Sequence, residues 1–500
     1  MNFLNVIPRS QAKTTFIVFA IVIIASCWLA AAFDSFYPLA IPAFGLLIYM
    51  TIVDFKSVFF LLLACIPISA EFELPNGFST DIPTEPLTIG LMLVYIIYAL
   101  KNDNKSLRGT WQLRGRGFLR HPITLLIGLH ICWIFVTMIN SESIFYSIKY
   151  FLAKIWFVVT FYFLASLMLQ TRRDFERLIW CIFTPLSIAI VITTYRHAAY
   201  DFSFTDINKI MYPMFRNHVS YGCILAVFLP YVILGRSWQR RFGMRWWLLT
   251  FAIVLFLFAI QMSFTRAAYG AIIGAAGYYF IVKFKLTKAV IGLSIIGIIS
   301  FVTFIVNDNK YLDYAPKFEK TITHKNFDQL LEATAKGEDI STMERVYRWV
   351  AGFRMVSEKP FMGFGPNNFF NYYKTFTVTN FKTYVSDNKE GSTVHCYYLL
   401  TAIEQGIPGA IIFFMLIFYA LIKAEQVYHR SEGFQKQVLM TSLLSFVTLL
   451  ILITINDLIE TDKFGSFFFM SLAIFANFDL ATRKNNADLN SPKIATEEVS

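Results

Sequence analysis

TKAVIGLSIIGIISFVTFIV (Thr287–Val306) decides the fold class. After Lys288 it runs eighteen residues without a charge, then stops at Asn307, where a long polar stretch begins. About 20 apolar residues in a helix cross the hydrocarbon core of a bilayer. Comparable runs lie near residues 14–33, 37–53, 57–70, 87–100, 121–139, 150–169, 177–195, 218–235, 246–264, 266–282, 396–422, 437–455 and 464–480, making about fourteen in all. The third and fourth are short, and one of them could be re-entrant. Composition agrees: 56% of residues are hydrophobic and 15% charged, where a soluble chain carries about 25% charged residues. The runs are continuous rather than alternating, which excludes a membrane β-barrel. The expected fold is an all-α polytopic membrane protein of about 12–14 transmembrane helices, with one large loop that contains short helices.

Charge sets the expected orientation. Arg9 and Lys13, then Lys56, Lys101 to Arg120, Arg172, Arg173, Arg177, Arg236, Arg240, Arg241, Arg245, Lys283, Lys285, Lys288, Lys423, Arg430, Arg483 and Lys484 all fall on one side when the spans alternate. Cations gather in short cytoplasmic loops, so both termini are expected inside. The layout is then residues 1–306 as transmembrane helices 1–11, 307–395 as a large periplasmic loop, 396–480 as helices 12–14, and 481–500 as a disordered cytoplasmic tail. The net charge of +11 is explained by these loops. No basic domain with stacking aromatics exists to bind nucleic acid. The first run lacks a convincing small-residue cleavage site and is read as a retained span. Six cysteines show no CxxC or zinc spacing and no disulfide framework.

The unusual polar residues fall on the outer side of this layout. Arg266, in SFTRAAYG, heads a span followed by the small residues Ala267, Ala268, Gly270, Gly274 and Gly277, which allow close approach of a helix or lipid. Arg216 and His218 precede another span, near Arg196. In the long loop, ERVYRWVAGF (Glu344–Phe353) carries Val346, Val350 and Phe353 at helical spacing, with Pro360 marking the end. Glu344 and Arg348 are four apart and can pair, whereas Arg345 and Arg348 share roughly one side and can face an anion. Gly363 and Gly365 allow a tight turn or a backbone approach to a ligand. His395 opens the next span and titrates near neutrality, which suits a general base. Glu404 lies about 13 Å deeper, needs a partner inside the bundle, and is read as structural or orienting. His130 is read as a packing residue, and Lys154 as lining a cavity or snorkelling. Asp457, Glu460 and Asp462 form an acidic outer loop without histidine, a poor metal site.

Three ordered segments carry a resemblance to the O-antigen ligase and polymerase superfamily of bacterial envelope enzymes. SFTRAAYG is similar to its Ser-x-x-Arg-Gly/Ala stretch. ERVYRW followed by EKPFMGFGPNNF resembles Arg-x-x-x-Trp and Pro-x-x-Gly-x-Gly-x-x-x-Phe. TVHCYYLLTAIEQGIPG resembles His-Asn-x-x-Leu and Glu-x-Gly-x-x-Gly, with Cys396 in the asparagine's place. Arg345 fits the first arginine of its motif and Arg348 is extra. The resemblance implies inverting transfer of a glycan from undecaprenyl diphosphate to an acceptor hydroxyl, at the periplasmic face of the bacterial inner membrane, without cofactor, nucleotide sugar or essential metal. It implies His395, Arg266 and Arg345 as catalytic residues; Arg348, Arg216, His218, Gly363 and Gly365 are expected, from the residues themselves, to bind substrate. The expected partners are the lipid-linked donor, a lipid A-core or glycan acceptor, and membrane lipids. Ligase is favoured over polymerase and over protein O-oligosaccharyltransferase. A transporter is the reading from another class, but no internal repeat supports it.

The layout predicts a labelling pattern. In a cysteine-free background, an impermeant thiol reagent should modify a cysteine at Lys336 in intact cells and spare one at Lys105. The reverse pattern overturns the orientation.

Overall fold

A computed structural model describes residues 9–32, 40–73, 79–100, 117–204, 206–306, 340–378, 386–388 and 391–490. Each of the fourteen apolar runs is a helix or contains one. They are α1 (Arg9–Ala32), α2 (Ala40–Val53), α3 (Phe55–Cys65), α4 (Thr84–Leu100), α5 (Pro122–Ile139), α6 (Ile144–Phe157, continued through wider and regular turns to Met168) and α7 (Arg172–Ala198). After the five-residue α8 (Ile207–Met211) come α9 (His218–Ser237), α10 (Met244–Met262), α11 (Arg266–Lys283) and α12 (Thr287–Val306). Two helices, α13 (Ile340–Glu358) and the short α14 (Phe369–Tyr372), belong to the long loop. The last three are α15 (Tyr397–Arg430), α16 (Gly433–Leu452) and α17 (Asp462–Asn490). Eight of them (α5, α6 with its continuation, α7, α9, α10, α15, α16 and α17) are long and apolar enough to cross a membrane, with four shorter apolar stretches beside them among the described residues. This is an all-α polytopic membrane protein.

Local chemistry sets several helix starts. Asp54 accepts from Ser57 N at 3.2 Å ahead of α3. Thr171 and Asp174 form a reciprocal capping box at α7, and Asp174 also takes Lys56 Nζ at 2.7 Å. Asn217 caps α9 through Ser220 N at 2.9 Å.

The last helix is the most central. Of the apolar window of α17, 89% is buried, against 28% for α10. Around it α9, α11 and α16 pack on one another, and α15 packs on α5. One end of α17 is held by Asp479, which is fully buried. It meets His121 Nε2 at 3.2 Å, Arg430 Nη2 at 3.1 Å and Arg483 Nη2 at 2.6 Å. At its other end, Asp462 accepts from Ser69 and Thr84 at 2.7 and 2.5 Å. Lys463 donates to the Ile66 and Ser69 carbonyls at 3.0 and 2.8 Å.

Two features depart from the sequence reading. Helix α17 runs to Asn490, through the first half of the expected disordered tail at 481–500, because no proline or glycine stops its ladder; residues 491–500 lie outside the described ones. The third run ends early, at Pro67. It leads into a two-stranded antiparallel hairpin, β1 (Ala70–Glu73) on β2 (Ser79–Ile82). Residues 307–339 of the long loop, most of its first half, also lie outside the description. Lys154 does not snorkel; it lines a small cavity with His130 and Tyr397, the other place expected for it. Its Nζ is buried and bonds Glu460 Oε1 at 2.8 Å and Tyr397 Oη at 3.2 Å, and Tyr150 Oη donates to the same carboxylate at 3.1 Å.

Breaking a buried ion pair by removing one partner strands the other charge. Lys154→Met should therefore lower stability in detergent by about 3 kcal/mol, the lower end of the usual range because Glu460 keeps some contact with water. Lys154→Met combined with Glu460→Gln should recover much of that loss. A double variant that unfolds as easily as the single one argues against direct coupling.

Candidate active site

The site is built where the long loop docks on a break in α15. Gly406 sits inside that helix at φ 71°, ψ 176°, two residues before Pro408. A break at membrane depth frees backbone groups that must find protein partners. Here Trp133 Nε1 donates to the Gln405 carbonyl at 2.8 Å, and Ile407 N donates to the Pro360 carbonyl at 2.7 Å. His130, placed at packing from sequence, faces the Gln405 side chain at 2.9 Å.

The glycine turn meets this break. Gly363 and Gly365 both have positive φ, 66° and 93°. A Cβ on Gly363 would lie 2.5 Å from the Glu404 carbonyl carbon. The intervening amides are consumed: Phe364 N donates to Ile403 O at 3.0 Å and Gly365 N to Glu404 O at 2.9 Å. The close backbone approach expected of these glycines is therefore to α15. Their N–H groups bond within the protein, Gly363 N to the Lys359 carbonyl at 3.1 Å and Gly365 N to α15. Glu404 is buried as expected, and its partner is the loop backbone: Phe369 N donates to Oε1 at 3.2 Å. Asn368, which the sequence did not single out, ties the same loop to α6 and the turn before it through Ser141 Oγ at 2.8 Å and Ser147 Oγ at 3.0 Å.

The segment ahead of His395 is clamped from three sides. Arg348 Nη1 donates to the Thr393 carbonyl at 3.0 Å, and Trp349 Nε1 to the Val394 carbonyl at 3.1 Å. The Thr393 hydroxyl donates to Asp457 at 2.8 Å. Arg348 is itself held by Glu344 at 3.5 Å, whose other oxygen accepts from Ser386 at 2.6 Å. Arg348 is thus mostly buried; its Nη1 holds the chain ahead of His395 and its Nη2 holds Glu344. The buried face of α13 is Met343, Tyr347, Val350, Ala351 and Met355. Of the expected stripe, Val350 is buried, Val346 is half-buried and Phe353 is exposed.

His395 is held at φ 54°. A left-handed conformation is uncommon outside glycine and persists only where surroundings impose it, often at functional sites. Its Nδ1 is buried without a hydrogen-bond partner among the described residues. Burial, then the charges of Arg348, Arg345 and Arg216, push its pKa down from 6.5 to about 3. Three of the arginines singled out from sequence therefore act electrostatically on this imidazole. Arg266 lies at the head of α11, beside His218. Thr265 Oγ1 donates to the His218 carbonyl at 3.1 Å, and Gly222 leaves room for Ser263 and Thr265 against α9. His218 Nδ1 faces Asn208 Oδ1 at 2.8 Å.

The acidic outer loop is divided among tasks. Asp457 holds Thr393, Glu460 pairs with Lys154, and Asp462 anchors Ser69 and Thr84. Nothing in the sequence links Asp457 to Thr393, 64 positions away, so its role was not legible there.

The depressed pKa of His395 has a consequence for stability. Between about pH 6.5 and pH 3 the unfolded chain binds a proton here and the folded chain does not. This residue's share of stability is therefore intact above that window and falls as pH falls through it. His395→Gln removes the proton site from both states. Its thermal midpoint in detergent should drop less than that of the unmodified protein on going from about pH 7 to about pH 5. Equal drops would contradict the buried, cation-flanked environment.

No curated protein matches the chain. Residues 251–414 match the family model described as O-Antigen ligase. That stretch contains Arg266, Arg345, Arg348, Gly363, Gly365, His395 and Glu404. The resemblance to the O-antigen ligase and polymerase superfamily of membrane enzymes, read from the ordered motifs, is borne out.

Proposed function

We propose that this protein transfers a glycan from undecaprenyl diphosphate to an acceptor hydroxyl, in the manner of an O-antigen ligase with lipid A-core as acceptor. The reaction takes place at the periplasmic face of the bacterial inner membrane. The observation that carries this reading is His395, fixed at a left-handed turn among Arg216, Arg345 and Arg348 at the head of a membrane helix.

The acceptor oxygen attacks the anomeric carbon as the bond from that carbon to the diphosphate oxygen breaks. The diphosphate leaves with the electron pair, and the acceptor proton passes to the His395 imidazole. Arg266, Arg345 and Arg216 stabilise the leaving charge. Guanidinium groups suit this work because they stay charged and present a planar fork to phosphate oxygens. We assign charge neutralisation to these residues and not to an essential metal. Arg348 supports the reaction by holding the Thr393 carbonyl, which positions the histidine.

A base with a pKa near 3 is too weak for this task in the empty site. The bound diphosphate cures this, because its negative charge offsets the arginines that depress the imidazole. Base strength then appears only when the donor is in place.

His395→Ala should slow transfer by roughly 10²- to 10⁴-fold, the usual scale for loss of a general base, while donor retention survives. Arg266→Ala and Arg345→Ala should lose donor retention as well, with Lys restoring it in part. His218→Ala should do less than His395→Ala. Transfer rate and lipid-donor binding measured for all four in one detergent check the assignment. Wild-type transfer by His395→Ala would end the general-base role. If product forms on a second lipid-linked unit and not on lipid A-core, the enzyme is a polymerase.

A further inference from the structure

The helices that head the candidate site at His218 and Arg266 also enclose a second opening toward their other ends. It is a cavity of about 700 Å³ between α9, α11 and α16, within the roughly 300–1,000 Å³ typical of small-molecule sites. Its walls are apolar: Ala226 and Ile233 from α9, Ile272 and Ala276 from α11, Met440 and Leu444 from α16. Small side chains at Ala226 and Ala276 make the concavity. Ile233 is half exposed, so the cavity opens sideways, out of the bundle. Two of the helices that form it, α9 and α16, are long and apolar enough to cross a membrane, and a sideways opening between such helices faces hydrocarbon.

Its rim is of another character. Tyr279 and Tyr428 line it, together with Ser237, Gln437 and Lys436. Lys436 Nζ lies 5.0 Å from the centre of the Tyr428 ring, and Lys283 Nζ lies 4.6 Å from the centre of the Tyr279 ring. No carboxylate lines the cavity, and neither lysine has an ion-pair partner among the described residues. The rim sits at the end of α9 and α11 remote from the candidate site; His218 and Ser237 are about 28 Å apart along α9.

Water filling this space would wet apolar walls at a cost of about 25 cal/mol per Å². A free anion would find the two lysines but nothing to fill the cavity. An amphipathic anion satisfies both parts. We propose that this cavity binds an anionic phospholipid of the membrane, with acyl chain against α9, α11 and α16 and phosphate headgroup between Lys283 and Lys436. The site is separate from the glycan-transfer reading and stands or falls without it.

The test uses the full-length purified chain, stripped of lipid in detergent and analysed by native mass spectrometry. Phosphatidylglycerol and phosphatidylethanolamine with identical acyl chains serve as probes. One phosphatidylglycerol per chain should be retained in preference to phosphatidylethanolamine. Reversing both charges, Lys283→Glu with Lys436→Glu, should lower phosphatidylglycerol retention by about tenfold or more, given the pull of two lysines on an anionic headgroup. Ala276→Trp should abolish retention of both lipids by filling the space. Should the double reversal fail to fold, Lys283→Gln with Lys436→Gln tests the same contact. Equal retention of the two lipids by the unmodified protein overturns the proposal. So does unchanged phosphatidylglycerol retention in the charge-altered or the Trp variant.

Discussion

A helix that breaks inside a membrane cannot leave its backbone groups bare, and the interruption of α15 at Gly406 organises this molecule around that constraint. The Gln405 carbonyl is taken by Trp133, and the Ile407 amide by Pro360. The Phe364 and Gly365 amides fasten onto the turn just above the break. The extramembrane loop is thus anchored on the span itself. From that anchor, α13 reaches across to grip Thr393 and Val394. His395 inherits its position from a chain of contacts that begins at a backbone defect.

Much of this was legible from the sequence, but in uneven degree. Fourteen apolar runs became fourteen helices because a bilayer demands long continuous runs, and few alternative structures satisfy it. Glu344 and Arg348 pair as their spacing allows, since one turn of helix places them side by side. The convergence of Arg216 and Arg345 on His395 followed from expecting separated cations to meet at one surface. What the sequence could not disclose was which partner each group would choose. Gly363 and Gly365 announced a close approach, yet glycine says nothing about whether ligand or protein approaches. Arg348 could equally have faced an anion, and its burial depends on Thr393 and Glu344 lying beneath it. The packing face of α13 departed from the expected stripe because Gly352 lets Leu399 and Ile403 come close, a contact made in space and not written in periodicity.

The electrostatics of the site gain meaning from its anchoring. Cations close to an imidazole oppose its protonation, and they would move apart if their helices could slide. Arg348 is fastened at both ends, to Glu344 and to Thr393, while the buried ion pair of Lys154 and Glu460 stiffens the helices below, beside Tyr397. The arginines therefore stay beside the neutral imidazole and are already in place when an anion arrives, the usual logic of a preorganised site.

The burial of α17 bears on how the protein is made. Among the described helices long and apolar enough to cross a membrane, the one with the greatest share of its window enclosed also follows the others in the sequence. Asp479, on that helix, joins the residue just ahead of α5 to the far end of α15. Asp462, at its other end, closes on Ser69 and Thr84. Until α17 is inserted, the earlier helices face a central gap with apolar walls and lack the carboxylates that bind them. A chain cut short before Asp462 would lose the centre of the bundle together with these carboxylates.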